Sequence, residues 1–372
     1  MTIVARVSCA AYAEVGRAVE RSLELLGGPE RFARSGEPLL VKPNLLAAHP
    51  ADAAVTTHPA VLDALLRVAS DLGAKAVVGD SPGLGAVRRV ARVAGILEVC
   101  RRHGVPLLDL GDEEAVPVSG SAYRQLEVAR AALEAPWLWN VAKWKTHAMM
   151  GLTLSVKNLF GCVPGKRKIR AHFRSGRDPD GFARQLLGLC EVLAPALNLL
   201  DGVVAMDGEG PSRGRPIPRG LLLASASPAA LDWEATRLSG FPPARVPTVH
   251  LSLAAGEVVP AEIQIAGDSA EPMRFRPANG TPCDWPLPGF LRDLVRRMLS
   301  PAPSFSAALC TGCGVCADAC PAAALVHRAP PEFSQQRCIR CYCCQELCPS
   351  GAVAIPGRGL GAVFRSAQGR RP

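Results

Sequence analysis

Two copies of a four-cysteine pattern near the carboxyl end of the chain restrict what this sequence can fold into. Nine of the fourteen cysteines lie between residues 310 and 348. Each copy has the spacing C-x2-C-x2-C-x3-C-P, and the cysteines are Cys310, Cys313, Cys316 and Cys320 in the first and Cys338, Cys341, Cys344 and Cys348 in the second. Three cysteines in a tight turn can bind one face of a 4Fe-4S cubane, whereas the fourth begins a helix that points toward a second cluster.

Zinc and disulfide bonds are the alternatives for paired cysteines. C-x2-C pairs also occur in zinc sites, but two complete runs ending in Cys-Pro favour iron–sulfur clusters. Disulfides are favoured less, because nothing in the sequence marks the chain as secreted. Cys343 lies between two of the predicted ligands, and we expect it to be a bystander on the outer side of its loop.

This cysteine-rich segment resembles the bacterial two-cluster ferredoxins. The resemblance implies two 4Fe-4S clusters, and it implies that the domain transfers electrons. The implied ligands are Cys310, Cys313, Cys316 and Cys348 for one cluster and Cys338, Cys341, Cys344 and Cys320 for the other.

The overall charge gives little support for a nucleic-acid partner. The formal net charge is +9 at pH 7, and two 4Fe-4S clusters of about −2 each would lower it to roughly +5. The basic residues are mostly scattered, so the sequence favours a local site for a small anionic ligand over nucleic-acid binding. With no signal peptide and no long uncharged apolar stretch, we expect a cytoplasmic protein without a membrane span.

The first 270 residues alternate between strand patterns and helical patterns. TIVARV, EPLLVK and KAVVGD are typical of strands, and AEVGRAVERSLELLG, PAVLDALLRVASDLG and ARVAGILEVCRRHG each have a helical period. This alternation predicts an α/β domain with a doubly wound, largely parallel sheet, followed by a small ferredoxin-like domain. The expected divisions are an α/β domain at 1–270, a proline-rich linker or cover at 271–303, the iron–sulfur domain at 304–356 and a basic tail at 357–372.

Polar side chains cluster where the strands of the α/β domain are expected to end. Ligands of open α/β sheets bind beyond the carboxyl ends of the strands. The candidates from the first strands and their loops are Lys42, Asn44, His58 and Asp80. Each of these segments also has a simpler interpretation, as a helix cap in TTHP or a turn in GDSPG.

The stretch KWKTHAMMGLTLSVKNLFG, residues 143–161, adds most of the remaining candidates. A strand is expected to deliver Lys143, Lys145 and His147 to a loop, and a helical run follows. Lysines near a helix start suit a carboxylate or phosphate; the alternative is that they are solvated. We predict His147 and Lys157 as catalytic, and the predicted substrate-binding residues are Lys42, Asn44, His58, Asp80, Lys145, Ser155, Asn158, Lys166 and His172.

The segments VKPNLL, TTHP, GDSPG, AKWKTH to SVKNLFG, and DGEGP together resemble the family of domains of unknown function numbered 362. That family is often fused to a two-cluster ferredoxin segment, and the resemblance implies an α/β domain with an iron–sulfur partner but no general reaction. The single segment HAMMGLTLSVKNLFGCVPGKRK also resembles the cofactor-binding segment of nickel-pincer lactate racemases. GCVPGK departs from the Walker A pattern, so nucleotide triphosphate hydrolysis is not predicted.

Three functions fit these observations. The first is an oxidoreductase that passes electrons through the clusters to or from a small anionic substrate in the α/β cleft, with Lys157 holding the anion and His147 supplying a proton. The second is a non-enzymatic electron carrier or redox sensor that docks a protein partner. The third is a metal- or cofactor-binding enzyme that uses His58, His147 and His172, with the clusters structural. A bound flavin would favour an enzyme over a carrier. The concentration of ionisable groups favours the first.

Overall fold

The computed structural model describes residues 1–83, 85–123, 125–165, 167–176, 178–281 and 300–357. The strands in these ranges are β1 (Thr2–Ser8), β2 (Pro38–Pro43), β3 (Lys75–Asp80), β4 (Leu107–Asp109), β5 (Ala115–Val118), β6 (Leu126–Ala129), β7 (Trp137–His147), β8 (Gly151–Thr153), β9 (Leu197–Asp207), β10 (Arg215–Ser225), β11 (Ile263–Gly267), β12 (Ser304–Phe305), β13 (Leu325–Val326), β14 (Glu332–Phe333) and β15 (Val353–Ala354). The helices are α1 (Val15–Leu25), α2 (Pro59–Asp71), α3 (Val87–Val93), α4 (Ile96–Arg102), α5 (Arg130–Glu134), α6 (Ser155–Asn158), α7 (Arg167–Ser175), α8 (Pro179–Leu193), α9 (Pro228–Leu238), α10 (Pro247–Ala254), α11 (Val315–Asp318) and α12 (Cys343–Glu346).

The main sheet is mixed but mostly parallel. Its strand order is β11-β1-β10-β9-β7-β2-β3-β4, and β8 pairs with β7. The strands β4, β3, β2, β7 and β9 run parallel to one another, whereas β10 runs antiparallel between β9 and β1. The carboxyl ends of the five parallel strands therefore share one edge, where ligands of α/β sheets bind.

Side chains alternate between the two faces of this sheet. Leu39 and Val41 pack in a hydrophobic cluster with α1, α2, α3 and α4, whereas Leu40 joins a second cluster with α8. Leu223 belongs to a third cluster, with residues of α9. Helices thus cover both faces, which confirms the predicted α/β fold with a doubly wound, largely parallel sheet.

Two predicted helices are shorter in the structure than their sequence patterns indicate. The segment ARVAGILEVCRRHG forms α3 and α4, because Gly95 between them has a left-handed backbone with φ of 78°, which glycine adopts without steric cost. The run TLSVKNLFG gives only the four residues of α6, and a 3-10 helix follows from Leu159 to Cys162. In the described ranges, every helix is too short or too polar to cross a lipid bilayer.

The small carboxyl-terminal domain packs on the carboxyl edge of the main sheet. It contains the pairs β12–β15 and β13–β14, together with α11 and α12. The Ser212 hydroxyl donates to the backbone carbonyl of Glu346 at 2.9 Å, and the Arg213 guanidinium donates to the carbonyl of Cys348 at 3.0 Å. Both donors lie in the loop that follows β9, so this loop fixes the domain against the sheet.

A chain truncated after Ser300 should keep a folded α/β domain. The hydrophobic cluster beneath α1 to α4 is built entirely from residues that precede the iron–sulfur domain. The iron–sulfur domain, in turn, should fold around its own metal. Calorimetry of the truncated chain should show one cooperative thermal transition, as in the full chain. Loss of that transition would show that the α/β domain depends on the clusters for its fold.

Candidate functional site

A cavity of about 310 Å³ lies between the carboxyl edge of the main sheet and the iron–sulfur domain. The main sheet and the loop after β2 supply Lys42, Asn44, Asp80 and Lys145, and α6 and α7 supply Lys157, Asn158, Lys168 and His172. On the opposite wall, α12 supplies Cys343 and Glu346. Both domains therefore contribute polar side chains to one cavity.

The floor of the cavity holds a buried ion pair. Lys42 Nζ lies 2.9 Å from Asp80 Oδ1, and both side chains are almost fully buried. The other carboxylate oxygen of Asp80 accepts a hydrogen bond from the backbone N–H of Leu45 at 2.7 Å. A Cβ atom on Gly161 would overlap both members of the pair, so the closely packed glycine allows the 3-10 helix to cover them.

Lys145 is fully buried, yet the acceptors of its hydrogen bonds within the described ranges are neutral. Its Nζ donates to Asn44 Oδ1 at 2.8 Å and to the backbone carbonyl of Val55 at 2.6 Å. Asn44 in turn donates through Nδ2 to Asn158 Oδ1 at 3.0 Å. Burial, followed by the nearby charge of Lys157, lowers the pKa of Lys145 to about 7. This ammonium therefore gives up its proton near neutral pH.

Lys157 is half-buried, and within the described ranges its ammonium has no hydrogen bond or ion pair. Its charge nevertheless affects the neighbouring groups. Burial raises the pKa of Glu346, but the opposing influence of Lys157, followed by His147, holds that pKa well below its usual range. Lys157 thus faces the cavity, and no residue of the described ranges competes with a ligand for its ammonium donors.

The short helix α6, which carries Lys157, is held by a buried carboxylate. Asp232 on α9 accepts hydrogen bonds from the backbone N–H groups of Ser155 at 2.7 Å and Val156 at 3.0 Å. These donors belong to the first turn, which has no intrahelical partner for them. Asp232 therefore fixes the position of α6, and Ser155 is a buried structural residue.

The two histidines at the site are buried and neutral at pH 7. His147 Nδ1 accepts hydrogen bonds from the backbone N–H groups of Met149 and Met150, so its proton resides on Nε2, 3.6 Å from Glu346 Oε2. Burial, followed by Lys157, lowers the pKa of His147 to about 4. His172 lines the cavity, and burial lowers its pKa to about 3.

The structure brings most of the predicted substrate-binding residues together. The predicted residues that line the cavity are Lys42, Asn44, Asp80, Lys145, Lys157, Asn158 and His172. His147 is not among the lining residues, and its Nε2 lies 3.6 Å from Glu346 Oε2. Lys143, Lys145 and His147 belong to β7 itself rather than to the predicted loop, because the strand continues to residue 147. Lys166 lies outside the described residues.

His58 does not reach this cavity. Its ring stacks on Tyr12 at a centroid distance of 3.4 Å, and its Nδ1 accepts from the N–H of Ala60 at the start of α2. The sequence favours Thr57 as the cap in TTHP, but the structure places the cap at His58. Ser155 points inward to Asn198. His58 and Ser155 are corrections to the predicted substrate-binding set.

Three ionisable residues that line the cavity lie outside the predicted site. Lys168 donates a hydrogen bond to the backbone carbonyl of Ser81, and burial lowers its pKa to about 8. The basic run KRK is the one feature of the sequence that indicates it. Glu346 belongs to a ferredoxin motif, where no local pattern indicates that it meets His147. Cys343 is buried and lines the cavity, so its expected place on the outer side of the loop is wrong.

Two further cavities in the iron–sulfur domain are each bordered by four of the predicted ligands. One is lined by Cys310, Cys313, Cys316 and Cys348, and the other by Cys320, Cys338, Cys341 and Cys344. These are the groupings that the ferredoxin resemblance implies. Cys343 lines the second of these cavities and also the cavity of about 310 Å³ between the two domains, which we call the ligand cavity. The ligand cavity and the second cluster cavity are therefore neighbours.

The cysteines of each set border a small cavity and supply the four thiolates that a 4Fe-4S cluster needs. Within the described ranges, no three His, Cys, Asp or Glu side chains are grouped closely enough to hold a single metal ion. The 4Fe-4S clusters supply one-electron chemistry when bound, and the ligand assignment remains a prediction.

Comparisons with known proteins are consistent with two domains. The family model described as "Domain of unknown function (DUF362)" matches residues 39–237, and the 4Fe-4S dicluster domain matches residues 302–349. The chain is 37% identical over 227 residues to "Thylakoid-associated protein sll1697" of Synechocystis sp. (strain ATCC 27184 / PCC 6803 / Kazusa), which covers 61% of this chain and 70% of that protein.

Among solved structures, the lactate racemase apoprotein from Thermoanaerobacterium thermosaccharolyticum overlaps with a TM-score of 0.46 at 12% identity. The overlap covers 63% of this chain and 56% of that one.

Anaerobic reconstitution should give about eight irons per chain, because each of two cubanes holds four. Cys320→Ser should damage the cluster of Cys338, Cys341 and Cys344 rather than the one nearest in sequence. Iron analysis with electron paramagnetic resonance (EPR) spectroscopy of the reduced protein measures both effects. About four irons per chain, or stoichiometric zinc, would contradict the assignment.

Asp232→Ala should lower the free energy of unfolding by roughly 1 to 3 kcal/mol, because it leaves the buried N–H groups of Ser155 and Val156 without an acceptor. Asp71→Ala, at an exposed aspartate, is the matched control. Denaturant unfolding of both variants measures the difference. Equal stabilities would show that Asp232 does not hold α6.

Proposed function

Because the chain belongs to the DUF362 family and carries a 4Fe-4S dicluster domain, we propose that it is an oxidoreductase for a small anionic substrate. Electrons pass through two 4Fe-4S clusters to or from a substrate in the cavity between the domains. The observation that carries this proposal is that Cys343 lines both the ligand cavity and the cavity of the second cluster. A ligand there is one side chain away from the cluster site.

The exposure of the cysteines supports a direction for the electron path. Cys313 is exposed, whereas Cys338, Cys341 and Cys344 are buried. The cluster of Cys313 is therefore the one that a redox protein partner reaches, and the inner cluster exchanges electrons with the substrate. A cytoplasmic location stays a prediction from the sequence.

The charges that line the cavity support an anionic substrate. Lys42 is neutralised by Asp80 at 2.9 Å. The remaining lysines, Lys145, Lys157 and Lys168, face one further carboxylate, Glu346, among the described lining residues. A bound cluster would add negative charge on the far side of Cys343, so the ammonium groups are the charges that contact the ligand. Charge-assisted hydrogen bonds from lysines suit a carboxylate or phosphate.

Electron transfer to an anion adds negative charge, which a proton balances. His147 was the predicted donor, but its Nδ1 accepts two backbone N–H groups and its Nε2–H faces Glu346. Lys145 lines the cavity, and burial lowers its pKa to about 7. A proton donor works best when its pKa is near the working pH. We therefore assign Lys145 Nζ as the group that gives the proton to the substrate. His147 orients Glu346 in this proposal.

A non-enzymatic electron carrier or redox sensor is the second candidate. The exposed Cys313 favours it, since electron exchange with a protein partner needs only an accessible cluster. In that case the buried lysines of the cavity have no part in turnover. Variants of cavity residues therefore separate the two functions.

Lys157→Ala should weaken binding of the anionic substrate by roughly 1.5 to 3 kcal/mol, the range for hydrogen bonds to charged groups. The clusters should be unaffected. The measurement is reoxidation of dithionite-reduced protein by a panel of small carboxylates and phosphate esters, with exposed Lys75→Ala as the control. Equal substrate-dependent rates in wild type and both variants would favour the carrier.

Lys145→Met should slow reduction of the substrate about 100-fold, the range for loss of a general acid. The wild-type rate should fall as the pH rises through about 7, because Lys145 is protonated below that pKa and neutral above it. His147→Gln should keep this decline. A decline that survives Lys145→Met but disappears in His147→Gln would restore the histidine as the donor.

A further inference from the structure

Lys157 stands beside the helix that carries part of the inner cluster site. It lines the ligand cavity together with Cys343 and Glu346, the first and last residues of α12. Cys344, a predicted cluster ligand, lies between them in sequence. Cys343 also lines the cavity of the inner cluster, so Lys157 and that cluster site lie on opposite sides of one shared wall.

We propose that Lys157 sets the reduction potential of the inner cluster, the one bound by Cys320, Cys338, Cys341 and Cys344, and leaves the outer cluster nearly unchanged. The inference rests on the cluster assignment within the proposed function. It does not require the identity of the substrate.

The sign of the effect follows from the charge of the cluster. One electron from an external reductant converts the 2+ core to the 1+ core and makes the cluster with its four thiolates more negative. A nearby ammonium stabilises this reduced state, so removal of the Lys157 charge lowers the potential. At an effective dielectric constant of about 20, the interaction of two unit charges about 12 Å apart changes an equilibrium constant about tenfold.

The outer cluster serves as an internal reference. Its cavity shares no lining residue with the ligand cavity among the described residues. Cys313 on its border is exposed, and solvent and salt screen charges there more strongly. A change confined to the lysine should therefore separate the two potentials.

The same charge couples the cluster to the ligand. An anion paired with Lys157 offsets its positive charge and lowers the potential of the inner cluster. Linkage then requires the reduced protein to bind that anion more weakly than the oxidised protein does. A bound substrate thus makes the neighbouring cluster a stronger reductant.

Redox titration of the reconstituted full chain without substrate, followed by EPR spectroscopy, tests the proposal. Lys157→Met should decrease the equilibrium constant for reduction of one cluster about tenfold, or about 59 mV for one electron. Lys157→Arg should retain the wild-type potential, and Lys75→Met is the control at the amino end of β3. Glu346→Gln should shift the same cluster in the opposite direction.

Unchanged potentials in Lys157→Met, or equal shifts of both clusters, would overturn the proposal. The same shift in Lys75→Met would overturn it as well. These outcomes are independent of the substrate assay, because the titration contains no substrate. If no substrate is turned over but Lys157→Met still shifts the potential of one cluster, the oxidoreductase is rejected and the role of Lys157 stands.

Discussion

The packing of the iron–sulfur domain on the carboxyl edge of the main sheet is the constraint on which the site depends. The loop after β9 anchors that domain through Ser212 and Arg213, which donate to the backbone carbonyls of Glu346 and Cys348. The loop itself lies tightly on the end of β7, where a Cβ on Gly210 would overlap the carbonyl of Thr146. Without this packing the cavity would lose one wall, and Glu346 would lose contact with His147.

The second constraint is the cost of buried charge. Ammonium groups lose their hydration when buried, and good geometry or partners must compensate. Lys42 has such a partner in Asp80, whereas fully buried Lys145 donates, among the described residues, only to amide and carbonyl oxygens. Buried ionisable groups without a charged partner are concentrated at functional sites, where a shifted pKa or an unpaired hydrogen-bond donor can act on a ligand. The imbalance at Lys145 and Lys157 is thus easier to explain by function than by stability.

Local patterns in the sequence predict the fold well, because periodicity and turn residues act over short distances. KAVVGD is β3 over its full length, and the predicted helix before it is α2. Gly95 divides a helical pattern that looks continuous, since its left-handed backbone outweighs the period of the residues around it. The ferredoxin resemblance likewise implies two sets of cysteines, and each set lines one cavity in the structure.

The sequence predicts the sheet side of the site and misses the opposite wall. Lys42 and Asp80 lie at the carboxyl ends of β2 and β3, so the rule for strand ends finds them. Glu346 meets His147 only because two domains pack together, and no local pattern contains that contact. His58 follows the same rule but caps α2 instead, because its side chain accepts from the helix it precedes.

The central claim is that a ligand cavity and a 4Fe-4S cluster share one wall at Cys343. Anomalous diffraction at the iron edge from anaerobic crystals tests it most directly, since it locates the irons independently of any assay. The account predicts two cubane-sized peaks, one of them directly behind Cys343 and bordering the cavity of Lys145 and Lys157. Single-ion peaks, or a cubane separated from that cavity by other packed residues, would contradict it.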